Sequence, residues 1–390
     1  MPSITPRPRK SDRPDRPTRW LVTWDLPPAP GGKRRRVTET VRGTKKVAAK
    51  RMGERQAEID SAGKGYTQPS KQTVAEYMES WLRTYVDATL RPKSVSSYHS
   101  LTRLHILPYL GQVPLADLNT PLLQRWVTDL GQPNKKGKKL SPRSIALPHT
   151  VLHVALEEAV RLGLLPTNPA DRVRLPKRNP KIVEALTLEQ VHAIDQVGQG
   201  HRLGPLFSFL WQSGLRISEA TGLRWEDVDL ERGSVSVKRQ IQEVGGHLVE
   251  GPPKSRAGRR EIALPKQAAS LLREHLLRQR QERDAGGPAW NPTGLVFPSL
   301  AGTPLGYHNV RRVWEKILMQ SEIPPCGLHT LRHTCGALLL WAGVDLRTLS
   351  QYLGHDDVAF TARVYAHVLE QTKTLAAAQL TTLLETGLRL

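Results

Sequence analysis

The chain has 390 residues, with 57 Lys and Arg against 36 Asp and Glu, a formal net charge of +21. That length exceeds one compact core and calls for two or three domains. The charge excludes an ordinary neutral enzyme as the default reading. It points to a polyanion, with nucleic acid the commonest and a membrane surface the alternative. Two cysteines cannot build a disulfide framework, which favours the cytoplasm. No apolar run is long enough to span a bilayer, and the N-terminal MPSITPRPRKSDRPDRP is neither a signal peptide nor an amphipathic anchor. The membrane alternative therefore recedes.

Residues 1–19 hold five prolines and six basic residues, and are expected to be disordered. Residues 20–25 read as a strand, 27–32 as a Pro/Gly turn and 35–41 as a second strand. Thr44 caps a helix from Lys45 to about Ser61, and Gly63 and Gly65 end it. Residues 20–67 thus form a small basic α+β domain, marginal in stability alone. Thr73 then opens a helix with Val74, Tyr77, Met78, Trp81 and Leu82 at helical spacing. Further helical patterns run over 94–106, 120–130 and 144–162, and the basic loop Lys135, Lys136, Gly137, Lys138, Lys139 precedes the last. This gives an all-α four-helix domain over 71–175, followed by a Pro/Lys/Arg linker over 176–182.

The third region, 183–390, reads as mainly helical with a small antiparallel sheet. Thr187 with Glu189 and Gln190 opens its first helix, and helices follow near 203–213 and 218–223. Strands are expected at 234–237 and 261–264, with Lys254 in their connection. A helix over 265–283, a short buried run at 295–297 and a helical remainder from 309 complete it. Charge separates these regions. Residues 1–70 carry 17 basic and 7 acidic residues (+10), residues 71–182 carry 17 and 8 (+9), and residues 183–390 carry 23 and 21 (+2).

Four segments of the third region hold polar residues suited to phosphate chemistry. In Ser213-Gly-Leu-Arg-Ile-Ser-Glu219, Gly214 allows a tight turn, and Ser218 with Glu219 suits a helix start. Arg216 beside that turn can hold two phosphate oxygens at once, or simply pair with Glu219. In Pro252-Pro-Lys-Ser-Arg256, Lys254 is either a solvated loop lysine or a mobile proton donor. In His329-Thr-Leu-Arg-His-Thr334, His329 and Arg332 share one helical face at a helix N-terminus, a position that attracts phosphate. In Leu353-Gly-His355, Gly354 ends a helix and places His355 at its edge, ten residues before Tyr365.

Taken in order, Arg216, Lys254, His329, Arg332, His355 and Tyr365 resemble the tyrosine recombinase family of phage integrases. SGLRISE, PKS, HTLRH, LGH and Tyr365 carry the resemblance, which extends over nearly the whole chain. It implies the DNA breaking-rejoining enzyme fold in the third region and a core-binding domain in the second. It also implies an arm-type DNA-binding domain around GTKKVAAKRMGERQAEIDSAGKGY. The implied roles are physically coherent. Tyr365 attacks phosphorus to form a 3′-phosphotyrosyl bond, which conserves the phosphodiester energy without ATP. Arg216 and Arg332 hold the non-bridging oxygens, the role a metal plays elsewhere, so no cofactor is implied. Lys254 protonates the departing 5′-oxygen, with Lys238 or Lys266 the next lysines to consider; His329 handles the tyrosine proton, and His355 positions the phosphate.

The apolar helical pattern Val368, Leu369, Leu375, Ala376, Leu380, Leu383, Leu384 packs either on its own domain or, as the family implies, on a neighbouring protomer in a tetramer. The implied partners are double-stranded attachment sites, with an excisionase and a host DNA-bending protein as accessories of a phage or integrative element. A transposon or chromosome-resolving recombinase is the near alternative, and a non-catalytic architectural DNA-binding protein the distant one. Cys326, His329, His333 and Cys335 also have a spacing that can bind zinc, but that reading leaves both arginines, Lys254 and Tyr365 unexplained. Candidate DNA contacts are Arg34, Arg35 and Arg36 in the N-terminal sheet, Arg103, the loop residues Lys135, Lys136, Lys138 and Lys139, and Arg143.

Overall fold

The computed structural model describes residues 2–7, 19–26, 35–62, 72–133, 137–177 and 184–366, with scattered positions beyond 366. The chain divides into two compact units, residues 1–179 and 180–390.

The first unit opens with a three-stranded antiparallel sheet, β1 (Ser3–Pro6), β2 (Arg19–Leu26) and β3 (Arg35–Arg42), in that order. Disorder over 1–19 is therefore corrected for Ser3–Pro6, which pairs Ile4 with Val22 and Thr5 with Leu21. Residues 8–18 of that tail lie outside the described residues. Alternation along β2 puts Trp20, Val22 and Trp24 on one face, and the helix Lys45–Ala62 covers that face with Ala48 and Met52. The indoles satisfy their N–H groups on the helix side, Trp24 at the Met52 carbonyl and Trp20 at Gly43, each at 3.1 Å.

A separate apolar cluster is built by four helical stretches. Thr73 and Glu76 form a reciprocal capping box at the start of Val74–Trp81, whose helical path continues to Thr89 through a π-helical turn at Leu82–Val86. The second stretch, from Pro92 to Leu110, has a similar turn at Thr102–Ile106. Thr120–Leu130 and Pro142–Arg161 complete the set. Trp81, Leu123, Trp126 and Leu152 meet in the core, and Tyr77 donates to the Ala155 carbonyl.

In the second unit, Thr187 and Gln190 cap the helix Leu188–Gly198 as the sequence predicts. It packs on the apolar helix Gly204–Ser213, whose Leu206, Phe207, Phe209 and Leu210 sit in the main core. The short helix Ile217–Thr221 follows. An antiparallel sheet joins β4 (Val228–Asp229), β5 (Ser234–Val237) and β8 (Arg260–Ala263). Between β5 and β8 the chain makes a hairpin not expected from the sequence, β6 (Gln240–Val244) with β7 (His247–Gly251). Helices Lys266–Gly286, Tyr307–Gln320, His329–Trp341, Leu346–Leu353 and Val358–Val364 complete the unit. Among the described residues, no helix is long and apolar enough to cross a membrane.

Candidate active site

The polar segments converge on the C-terminal end of the helix Leu346–Leu353. A helix end leaves its last carbonyls without backbone partners and concentrates negative potential there. Three guanidinium groups from three parts of the chain occupy three consecutive carbonyls. Arg260 Nε donates to Tyr352 O at 2.7 Å, Arg332 Nη2 to Leu353 O, and Arg216 Nη2 to Gly354 O at 3.1 Å. Gly354 closes the helix with φ +67°, and a Cβ there would stand 2.8 Å from the Ala257 carbonyl oxygen. Only glycine satisfies both demands.

Glu219 ties the cluster together. Its Oε1 accepts from Arg216 Nη1 at 2.7 Å and its Oε2 from Arg260 Nη2 at 3.1 Å. Burial alone raises a carboxyl pKa, but Arg260 and Arg216 outweigh it here and hold Glu219 below its ordinary value. The helix start also differs from the expected one. Arg216, not Ser218, is the capping position, and Glu219 accepts its backbone N–H at 3.1 Å. Ser218 instead donates to Gln240 Oε1 at 3.2 Å. The pairing of Arg216 with Glu219 is thus formed, and the carboxylate orients the guanidinium.

Arg332 is 2 % exposed and also donates to Gly214 O at 2.8 Å. Burial first, and then Arg216, push its pKa down to about 9, so it is still a cation at neutral pH. His355 contacts Thr361 Oγ1 through Nδ1 at 2.8 Å. Burial, followed by Arg332 and Arg216, pushes it down to about 3. His329 is pushed down to about 4 by burial, then by His333 and Arg332. Both rings are therefore neutral at pH 7 and able to accept a hydrogen bond.

Tyr365 is 2 % exposed and packs with Ala337, Leu340, Leu349 and Leu353. A Cβ at Gly336 would overlap its hydroxyl, so the glycine makes the notch that receives it. Burial raises the phenol pKa, and Arg332 opposes the rise. The imidazole that meets the Tyr365 ring is His333 rather than His329. His333 lies edge-on to Tyr365 at 5.9 Å between centroids and to His329 at 4.7 Å. Lys254 is exposed on the segment between β7 and β8. Lys238, just after β5, is already paired with the buried carboxylate of Asp227 at 3.0 Å.

The structure thus brings Arg216, Arg332 and His355 around one helix end, with His329 as the first residue of Arg332's helix and Tyr365 packed against that helix at Gly336. Arg260 and Glu219 are the members that the motifs do not announce as site residues. The zinc arrangement does not form among the described residues, where no group of three or more His, Cys, Asp or Glu is placed to hold a metal ion. Cys335 is buried with its Sγ towards the Gln212 carbonyl, and Cys326 and Cys335 are both free thiols.

The candidate DNA contacts are scattered. Arg35 and Arg36 lie on β3, where exposed Arg36 pairs with Asp25 at 3.0 Å. Arg103, Lys138, Lys139 and Arg143 are exposed in the four-helix region. Arg34, Lys135 and Lys136 lie outside the described residues.

Residues 184–372 match the Phage integrase family, and residues 73–131 match the phage integrase N-terminal SAM-like domain. A tyrosine recombinase XerC-like protein of Caldanaerobacter subterraneus subsp. tengcongensis is 29 % identical over 323 residues, covering 78 % of this chain and 81 % of that protein. An integrase of Streptomyces ambofaciens is 29 % identical over 361 residues, 89 % of each. Among solved structures, the Tn1549 transposon integrase in complex with transposon right end DNA superposes with a TM-score of 0.66 at 20 % identity, over 78 % of this chain and all of that one. A lambda integrase dimer bound to a COC′ core site gives 0.57 at 17 % identity, over 92 % and 96 %. The fold is shared with these two. With both of its matched regions, and with the guanidinium cluster gathered on one helix end, the chain belongs to the tyrosine recombinase (phage integrase) family of site-specific DNA recombinases.

Proposed function

We propose that this recombinase cuts DNA with Tyr365 and integrates and excises a phage or integrative element. The observation that carries the residue roles is the placement of Arg216 and Arg332 on consecutive carbonyls of one turn. Two guanidiniums fixed side by side, each with N–H donors to spare, fit the two non-bridging oxygens of one phosphodiester. The Tyr365 oxygen forms a bond to phosphorus as the bond to the 5′-oxygen breaks. The phenolic proton passes to His329, neutral at pH 7, and Lys254 supplies a proton to the 5′-oxygen. His355 accepts or donates a hydrogen bond at the phosphate. Tyr365 must first leave the Gly336 notch, because its hydroxyl faces helix backbone there.

The small N-terminal sheet and helix would hold arm sites and the four-helix region core sites, both strongly basic. In the tail, Leu380 and Leu384 are 57 % and 73 % exposed, which supports docking on a second copy within a homotetramer on two duplexes. An excisionase and a host bending protein would set direction.

Covalent capture tests this reading. Nicked duplexes from the DNA flanking the gene should trap wild-type protein as an adduct in excess EDTA, and Tyr365→Phe should bind the same DNA without an adduct. An adduct in the phenylalanine variant overturns the assignment. Sedimentation of the trapped complex should give four chains on two duplexes, and a lone monomer on one duplex overturns the tetramer.

A further inference from the structure

Two of the three guanidiniums on the Leu346–Leu353 helix end belong to the family's set of six. Arg260 does not. It is the first residue of β8, and its side chain is 7 % exposed. Such burial is costly for an unpaired cation, and its contacts offset that cost. Nε donates to Tyr352 O at 2.7 Å, Nη1 to Gly258 O at 3.0 Å and Nη2 to Glu219 Oε2 at 3.1 Å.

The Gly258 contact is the informative one. Gly258 lies on the segment that carries Lys254. Within it, Gly258 N–H donates to Ser255 O and Arg259 N–H to Arg256 O, each at 3.1 Å, so residues 255–259 form a tight turn. The Ala257 carbonyl lies 2.8 Å from where a Gly354 Cβ would be, and Arg260 Nη1 lies 2.9 Å from the same point. The turn that follows Lys254 therefore rests on the Leu353-Gly-His355 turn, with the Arg260 fork between them. Lys254 itself is exposed and reaches out from the near end of this pinned turn.

We propose that Arg260 is a positioning residue that sets the reach of Lys254, by joining the Gly258 carbonyl of the 255–259 turn to the Tyr352 carbonyl of the helix end, beside the two arginines proposed to hold the phosphate. The inference rests on the proposed role of Lys254 as proton donor. A planar fork with donors in three directions is required, and Lys cannot supply one.

The test uses the full chain on the core site mapped by wild-type adduct formation. Single-turnover cleavage is compared on ordinary DNA and on DNA with a bridging sulfur at the 5′ leaving position, which needs no proton to depart. Arg260→Gln should slow cleavage of ordinary DNA by about 100-fold and restore it close to wild type on the sulfur DNA. Arg260→Lys should fall between, with the same pattern of rescue, and it decides the matter if the glutamine variant does not fold. Equal loss on both DNAs in the folded variant overturns the proposal, since Arg260 would then act on Arg216 through Glu219. No loss on either also overturns it. Failure of the underlying reading looks different: Lys254→Ala would then show no sulfur rescue, or wild type would form no adduct.

Discussion

The basic region 1–182 and the arginine cluster within 183–390 use arginine in opposite ways. Residues 1–182 carry 34 basic and 15 acidic residues, a net of +19, while residues 183–390 carry +2. In the first region Arg103, Arg143 and Lys139 are exposed. In the second, Arg332 and Arg260 are buried and held in place by hydrogen bonds to backbone carbonyls and one carboxylate. Exposed cations add to a long-range field that salt screens. Buried, hydrogen-bonded cations contribute little to that field and hold a geometry to fractions of an ångström. On the proposed roles, affinity for a polyanion and the chemistry done on it would be divided between regions by burial rather than by residue type.

The sharpest way to break this comparison is at Arg332. Arg332→Gln leaves the Gly214 and Leu353 carbonyls without their charged donor, at roughly 1–3 kcal/mol for each buried group left unpaired. It also removes one of the two guanidiniums proposed to meet developing charge, worth about 10²–10³ in cleavage rate. We expect an adduct yield at background with a salt dependence of DNA binding equal to wild type. A shallower salt dependence would show that Arg332 contributes to the long-range field after all, and the division of labour would fail.

What is legible in the sequence follows the same line. The capping boxes at Thr73–Glu76 and Thr187–Gln190, and the helical spacing of Val74, Tyr77, Met78 and Trp81, are local patterns, and local physics keeps them in the fold. The six-residue set is legible because its members sit in short motifs. Arg260 is not, because an arginine after a hairpin is ordinarily solvated, and only the approach of residues 219, 258 and 352 buries it. Ser3–Pro6 is hidden by its proline- and arginine-rich surroundings, although pairing with β2 satisfies its backbone. The β6–β7 hairpin has a usable signal in Gly245-Gly246, but the flanking runs alternate too weakly to stand out as strands.

A smaller effect is expected from acid. His329 and His355 are pushed down to about 4 and about 3, against about 6.5 in an unfolded chain. Below pH ~6.5 the unfolded chain takes up the protons that the folded site refuses. Stability is then full above that pH and is lost as pH falls towards about 4, with solvent screening reducing the share of His329, which is exposed. His105, His149 and His275 are lowered as well, with burial as the leading cause in each, so the whole chain should lose stability in acid. The site's share is a difference: His329→Gln should flatten the fall in unfolding midpoint between pH 6.5 and 4.5. An unchanged slope would mean that the ring is protonated in the folded protein, where the surrounding arginines make that costly.

The smallest effect belongs to the exposed side of the comparison. Lys138 and Lys139 follow Gly137 in the loop before the helix Pro142–Arg161, and both are exposed. Replacing both with glutamine should weaken DNA binding at about 0.15 M salt and reduce the slope of log K against log salt by about 0.9 for each phosphate no longer neutralised. The cleavage rate of a complex already saturated with protein should not change, since neither lysine belongs to the guanidinium cluster or its carbonyls. A saturated rate that falls together with affinity would mean that the loop places the DNA in register for Tyr365, and the basic region would then share in the chemistry as well as the grip.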